Sequence, residues 1–277
     1  MTLPTHSRPT EGAKKTMHSF YAIYRKEMRQ YFVSPIAYVV IGVFLFLAAL
    51  FFNLILSGVI QNAMQMEMES MRFGMPPEID MPGQVMRAFF GLLSTLILFI
   101  IPMLTMGLYS EERKRGTMEL LMTSPISETE IVLGKFLASL SLFAIMLIPT
   151  LSYLIFLFVR SEPMPPWRLL AAGYAGVVLL GGSLLALGSF ISSLTENQLI
   201  AAVLTFAAFL FVWVLDVGRN ATGGIGAVLS YLSVIRHYED FTRGIVDTSS
   251  LIYYGSFIFL FVFLTVRSVD SMRWRRA

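Results

Sequence analysis

Residues 109–128 read YSEERKRGTMELLMTSPISE, and seven of these twenty are charged, in a chain in which Asp, Glu, Lys and Arg make up only 14%. On either side stand two uncharged runs, 88–108 and 136–159. A helix crossing a hydrocarbon core about 30 Å thick needs roughly 20 apolar residues at about 1.5 Å each. Each flanking run is long enough, so the charged stretch reads as the turn between two membrane helices, and this reading decides the fold.

Working outward, six such runs appear, at 36–60, 88–108, 136–159, 169–194, 198–215 and 249–266. The 277 residues are 56% hydrophobic, with a mean hydropathy of +0.68. Inside a bilayer the backbone must satisfy its own hydrogen bonds, and runs of this length are not the short alternating strands of a barrel. The expected class is an all-α integral membrane protein with six transmembrane helices. The first run starts too late and is too long for a cleavable leader. Without cysteine, disulfides, thiolate catalysis and iron–sulfur ligation are excluded.

The net charge of +3 reflects topology rather than nucleic-acid binding. With the N-terminus placed inside, 14 of the 21 Lys and Arg fall on the inner side, including every lysine. That matches the positive-inside rule and puts both termini in the cytoplasm.

Residues 1–16 are polar and rich in Pro and Thr, and are expected to form a disordered cytoplasmic tail, with Met17 a candidate start. Residues 17–277 form a single membrane domain. Its first segment, MHSFYAIYRKEMRQYFV, sets Phe20, Ile23, Tyr24, Met28, Tyr31 and Phe32 at helical spacing against Arg25, Lys26 and Arg29. This is an amphipathic helix for the interface, its basic face toward lipid headgroups. Ser34 and Pro35 supply an N-cap and first helical position for the first span.

Residues 61–87 are read as an outer loop broken at Pro76-Pro77 and rich in methionine, with Met64, Met66 and Met68 in alternation. Thioethers are soft ligands that could gather Cu(I) on a flexible loop, but methionine is also a compliant apolar filler. The fourth span carries Ala172 and Gly176, Gly182 and Ala186, and Gly188 and Ser192 at four-residue spacing, which lets a helix of this chain or of a second copy approach closely. Residues 223–240 read as a short re-entrant helix dipping into the outer leaflet, hinged at Gly223, Gly224 and Gly226, or as a helix lying flat on the surface.

Within the opening stretch, 117–123 form a short helix candidate set off by Gly116 and Ser124-Pro125, with Met118, Leu121 and Met122 exposed. Ser127 and Glu130 form a capping box that starts the third span afresh. A helix between two breakers is a docking surface; the plainer alternative is a charged topogenic turn.

The run EERKRGTMELLMTSPISETEIVLGKFLA resembles the cytoplasmic signature of ABC-2 type transporter permeases, and of their gliding-motility-associated branch in particular. YRKEMRQYFVSPIAYVV, SSLTENQLIAAVL and FTRGIVDTSSLIYYGSF are similar to further stretches of that family, so the resemblance covers nearly the whole chain after Met17. It implies an export permease whose coupling helix between the second and third spans seats in a separate ATP-binding subunit. Glu111, Glu112, Arg113, Gly116, Thr117, Glu119 and Leu120 are the ATPase-contact residues on that resemblance. It also implies that Arg25, Lys26 and Arg29 belong to the connecting interfacial helix, and that two permeases work with two ATPases. ATP and Mg would be bound by the partner, leaving this chain no cofactor of its own.

The residues agree with that division of labour. No GxxxxGK[ST] occurs, so the chain has no P-loop. No run carries Asp, Glu, Lys, Arg or His near its middle, which argues against proton coupling, and no nucleophile stands beside a base, so no catalytic site of its own is expected. Two other readings are a membrane anchor that docks an ATPase for cell-surface or motility machinery, and a copper-handling permease using the methionine segment.

Overall fold

The computed structural model describes residues 9–73, 80–118, 126–162, 164–214 and 233–274. Among them there is no strand. The protein is an all-α integral membrane protein, and five helices among the described residues are long and apolar enough to span.

Helix α1 (Pro9–Val33) ends at Ser34, and α2 (Pro35–Phe73) begins at once, the turn falling where the Ser-Pro pair predicted it. α1 begins at Pro9, a residue suited to a first helical position, within the stretch expected to be a tail; residues 1–8 lie outside the described residues. α2 is also longer than expected. Its 39 residues at about 1.5 Å each give roughly 58 Å, about twice the hydrocarbon thickness. The segment QNAMQMEMESMRF, read as loop, continues the helix because it consists of good helix formers with neither Gly nor Pro. On a helix Met64, Met68 and Met71 share a face while Met66 turns away, so the alternating cluster of a flexible loop does not exist.

α3 (Met81–Thr105) is capped by Asp80, whose carboxylate accepts the Gly83 amide at 2.9 Å. After the turn at 106–109 comes α4 (Ser110–Lys114). α5 (Glu128–Leu147) starts at the predicted capping box: Ser127 Oγ accepts the Glu130 amide and Glu130 accepts the Ser127 amide. Pro149 converts Ile148–Thr150 to a 3₁₀ turn, and α6 (Leu151–Arg160) completes the third crossing. Beyond it lie α7 (Trp167–Leu194), α8 (Gln198–Val214), α9 (Val234–Thr242) and α10 (Thr248–Trp274). α8 is described over 17 residues, up to Val214, where the described residues stop.

α7 is the axis of the bundle, packed against α3, α5, α8, α9 and α10. Its small residues explain why. A Cβ on Gly173 would strike Phe90 of α3, one on Gly181 would strike Phe143 of α5, and one on Gly176 would strike Phe241 of α9. Gly188 sits against Thr105 in the same way. The close approach inferred from spacing therefore serves helices of this chain. By contrast α2 and α10 expose most of their apolar surface.

Of the expected re-entrant segment, Gly223, Gly224 and Gly226 lie outside the described residues. The described part is α9, tucked beside α7 with Tyr238 donating to Phe90 O at 2.7 Å and Tyr254 donating to Val234 O at 2.8 Å. Phe90 lies more than two turns into α3, so the Tyr238 side chain reaches well inside that end of the bundle.

Candidate functional site

The charged stretch is folded back on the permease. Ser192, near the end of α7, donates to Met106 O at 3.1 Å and accepts the Tyr109 amide at 3.2 Å, so the turn after α3 is clamped to α7. α4 then begins with Glu111 and Glu112 in its first turn and ends with Arg113 and Lys114, the order its dipole favours.

Each of its first three charged side chains has a partner on another element. Glu111 accepts from Gln198 of α8 at 2.9 Å and pairs with Arg115. Arg113 donates to Ser193 O at 2.8 Å, capping the carbonyl end of α7, and meets Glu196 at 3.0 Å. Glu112 takes Lys26 of α1 at 2.9 Å and Lys135 of α5 at 3.1 Å.

Lys135 is the centre of the arrangement. Its side chain is 2% exposed, and its three ammonium protons have three acceptors: Glu27 of α1 at 2.9 Å, Leu108 O at 3.0 Å and Glu112. The Tyr109 ring lies 5.5 Å below. Gly134 makes the approach possible, because a Cβ there would come within 2.8 Å of Ile23 on α1. Tyr24 adds a bond to Ser141 at 3.1 Å. Two lysines and two glutamates thus form a neutral group joining α1, α4 and α5, and removing one of its buried members would leave a charge out of water without its counterion.

Burial alone would lower the pKa of Lys26. The hydrogen bond and charge of Glu112, with Glu27, outweigh it and hold the ammonium above its ordinary value. Burial, reinforced by Glu27, pushes the Tyr31 hydroxyl far above its usual range. The hydroxyls of Tyr31 and Tyr109 and Glu112 Oε2 are buried and have no hydrogen-bond partner among the described residues.

Of the sequence-predicted contact residues, Glu111, Glu112 and Arg113 are therefore engaged inside the permease, whereas Gly116 and Thr117 are exposed, next to exposed Lys114 and Arg115. Gly116 has a φ of 70°, the left-handed conformation that stops α4 and turns the chain. Glu119 and Leu120 lie outside the described residues, as do Leu121 and Met122. Met118, expected to be exposed, is 3% exposed and packs with Leu108, Tyr109, Val132 and Val269. The turn at Gly116 returns it to the apolar ends of α3, α5 and α10. Arg25, Lys26 and Arg29 are exposed on α1, with Lys26 reaching in to Glu112.

Sequence reading missed Glu27, Glu196 and Gln198, took Ser192 only as a small packing residue, and gave Lys135 no partner. Glu27 carried a signal: it falls in the stripe Phe20, Ile23, Tyr31, where a solvated glutamate does not belong. Three stretches of the sequence, YRKEMRQYF, EERKR with its GK, and SSLTENQ, meet at this one place. Among the described residues no group of three His, Cys, Asp or Glu is placed to hold a metal ion.

No curated protein matches the chain. A family model described as ABC-2 family transporter protein matches residues 21–269. On that match, which takes in every element of the site and nearly the whole chain, the protein belongs to the ABC-2 family of transporters and is a multi-pass membrane permease subunit of an ABC transporter.

Proposed function

We propose that this permease exports its substrate by receiving the movement of an ATP-binding subunit at the exposed side of the charged turn and passing it through the Lys135 ion group to the membrane helices. The observation that carries the reading is the division of residues 111–117. Glu111, Glu112 and Arg113 grip α8, α1, α5 and the end of α7, while Lys114, Arg115, Gly116 and Thr117 face outward. Contact with the ATPase then belongs to the outward group and continues through Glu119 and Leu120. The inward group acts as the lever.

In this scheme two permease copies work with two ATPases in a bacterial inner membrane, both termini cytoplasmic, as the lysine distribution favours. ATP and Mg²⁺ are held by the partner. ATP binding draws the ATPases together and shifts the permease pair between inward-open and outward-open states, by as much as ATP favours one state over the other. The sequence of residues 111–138 supports placement in the gliding-motility-associated branch.

The test is a reconstituted complex in proteoliposomes. Gly116→Val is expected to weaken ATPase attachment. Lys135→Met is expected to leave the ATPase attached and hydrolysing while transport falls by an order of magnitude or more. Wild-type transport in the Lys135→Met complex, with attachment intact, would reject the lever.

A further inference from the structure

Helix α2 outruns the membrane. Counted from Pro35, a crossing of about 25 residues ends near Ile60, and the rest of the helix to Phe73 carries it about 20 Å further. Glu67 and Glu69, both exposed, put that projection in water. Yet Met64, Met68 and Met71, which share one of its faces, are 58%, 61% and 76% exposed. Within the bilayer lipid covers an apolar face. At this height it does not, so the three methionines form a seam that association takes out of water.

The seam is part of a longer row. Leu50, Leu54, Ser57, Gln61, Met64, Met68 and Met71 follow one another in alternating steps of four and three, and all of them are exposed. Val40, Phe44, Ala48 and Phe52, which pack α2 onto the bundle, lie on another side of the helix. A seven-residue period is the one that keeps a row facing a second helix wound beside it, so the partner is a helix. A second copy of this chain supplies one. Its α2 stands in the same membrane at the same height and in the same direction, so a two-fold axis along the membrane normal brings the two rows together parallel and in register. Gln61, whose side-chain amide both donates and accepts, then meets its own image where the helices leave the hydrocarbon. A polar residue at one such position fixes the register of a pair.

We propose that the projecting end of α2 pairs with that of a second copy as a short parallel coiled coil, with Met64, Met68 and Met71 at its core. The pairing rests on the two-copy arrangement proposed above and gives it a contact outside the hydrocarbon, at the end of the bundle opposite the charged turn. Methionine suits such a seam, because its unbranched side chain adapts to its own image across the axis.

The chain has no cysteine, so single cysteines introduced along α2 report without background. In membrane vesicles holding the full chain, oxidation is expected to join Met64→Cys and Met71→Cys into disulfide-linked dimers, since facing core positions come within reach of a disulfide. Met66→Cys, on the other side of the helix, is expected to link on the order of tenfold less. Adding Met68→Glu to Met64→Cys puts a charge into the core and is expected to cut the linkage several-fold, with the protein still in the membrane. Equal linkage at positions 64 and 66, linkage at none of the three, or linkage that ignores Met68→Glu overturns the coiled coil. Native mass spectrometry of the same preparation then separates the two readings. Two copies without the phased linkage give the seam to a different partner and leave the paired permease standing; a single copy overturns both.

Discussion

Lys135 of α5 donates to the carboxylate of Glu27 on α1 at 2.9 Å, with the two side chains 2% and 6% exposed. An ion pair so removed from water is stabilising only while it is complete. Lys135→Met leaves Glu27 and Glu112 without their shared cation and is expected to cost about 3–5 kcal/mol. The double variant Lys135→Met, Glu27→Met removes charge from both sides and is expected to recover a substantial part of that loss. Thermal unfolding of the purified permease measures both. A single variant as stable as the wild type would mean that water reaches the pair.

Ser192 holds the turn between α3 and α4 with one hydroxyl. Ser192→Ala leaves the Tyr109 amide without its partner and the Met106 carbonyl with the Ser110 hydroxyl alone, and is expected to destabilise the turn by about 1–3 kcal/mol. Hydrogen–deuterium exchange over residues 106–112 is expected to rise while exchange in the middle of α7 does not. Unchanged exchange at the Tyr109 amide would show that the clamp is dispensable.

The glycines of α7 and α2 make opposite predictions. Gly181→Val drives a side chain into Phe143 and is expected to cost about 1–3 kcal/mol, or to prevent folding. Gly42→Ala meets nothing within 4 Å and is expected to be neutral or to stabilise by up to about 1 kcal/mol through helix propensity. The yield of monodisperse protein and its thermal midpoint separate the two.

Lys26 provides a pH test. Its folded pKa is raised above the ordinary lysine value of 10.5, so its contribution is fully present below that value and is lost only as pH rises through the folded pKa. Its side chain is about half exposed (52%), which limits the contribution to about 1 kcal/mol or less. The difference in thermal midpoint between wild type and Lys26→Met is therefore expected to be small and constant between about pH 6 and about pH 9. A difference that disappears within that window would assign the titration to another group.

Helix existence was legible in the long apolar runs, because 18 or more uncharged residues leave the backbone no other state in lipid, whereas α4 at Ser110–Lys114 was not foreseen. Starts were legible where a local rule applies, at Ser34-Pro35 and at Ser127–Glu130, since capping is settled within four residues. Ends were less so. α2 runs past its apolar segment to Phe73, because beyond the membrane the composition changes while helix propensity does not. The site was half legible. EERKR stood out by charge, but the direction in which its side chains point depends on Lys26, Lys135 and Ser193, residues 80 or more positions away or across a membrane turn.

By itself the sequence determined that this is a helical membrane protein with a charged turn between its second and third crossings, because hydropathy, charge and capping are read over spans of a few to twenty residues. Only the tertiary structure decided that Glu111, Glu112 and Arg113 face inward, that Met118 is covered, and that α1, α5, α7 and α8 meet at α4. Those outcomes depend on distances between segments far apart in the chain. Helix packing closes those distances through Gly134 and the small residues of α7, and no local pattern records which partner each of them will meet.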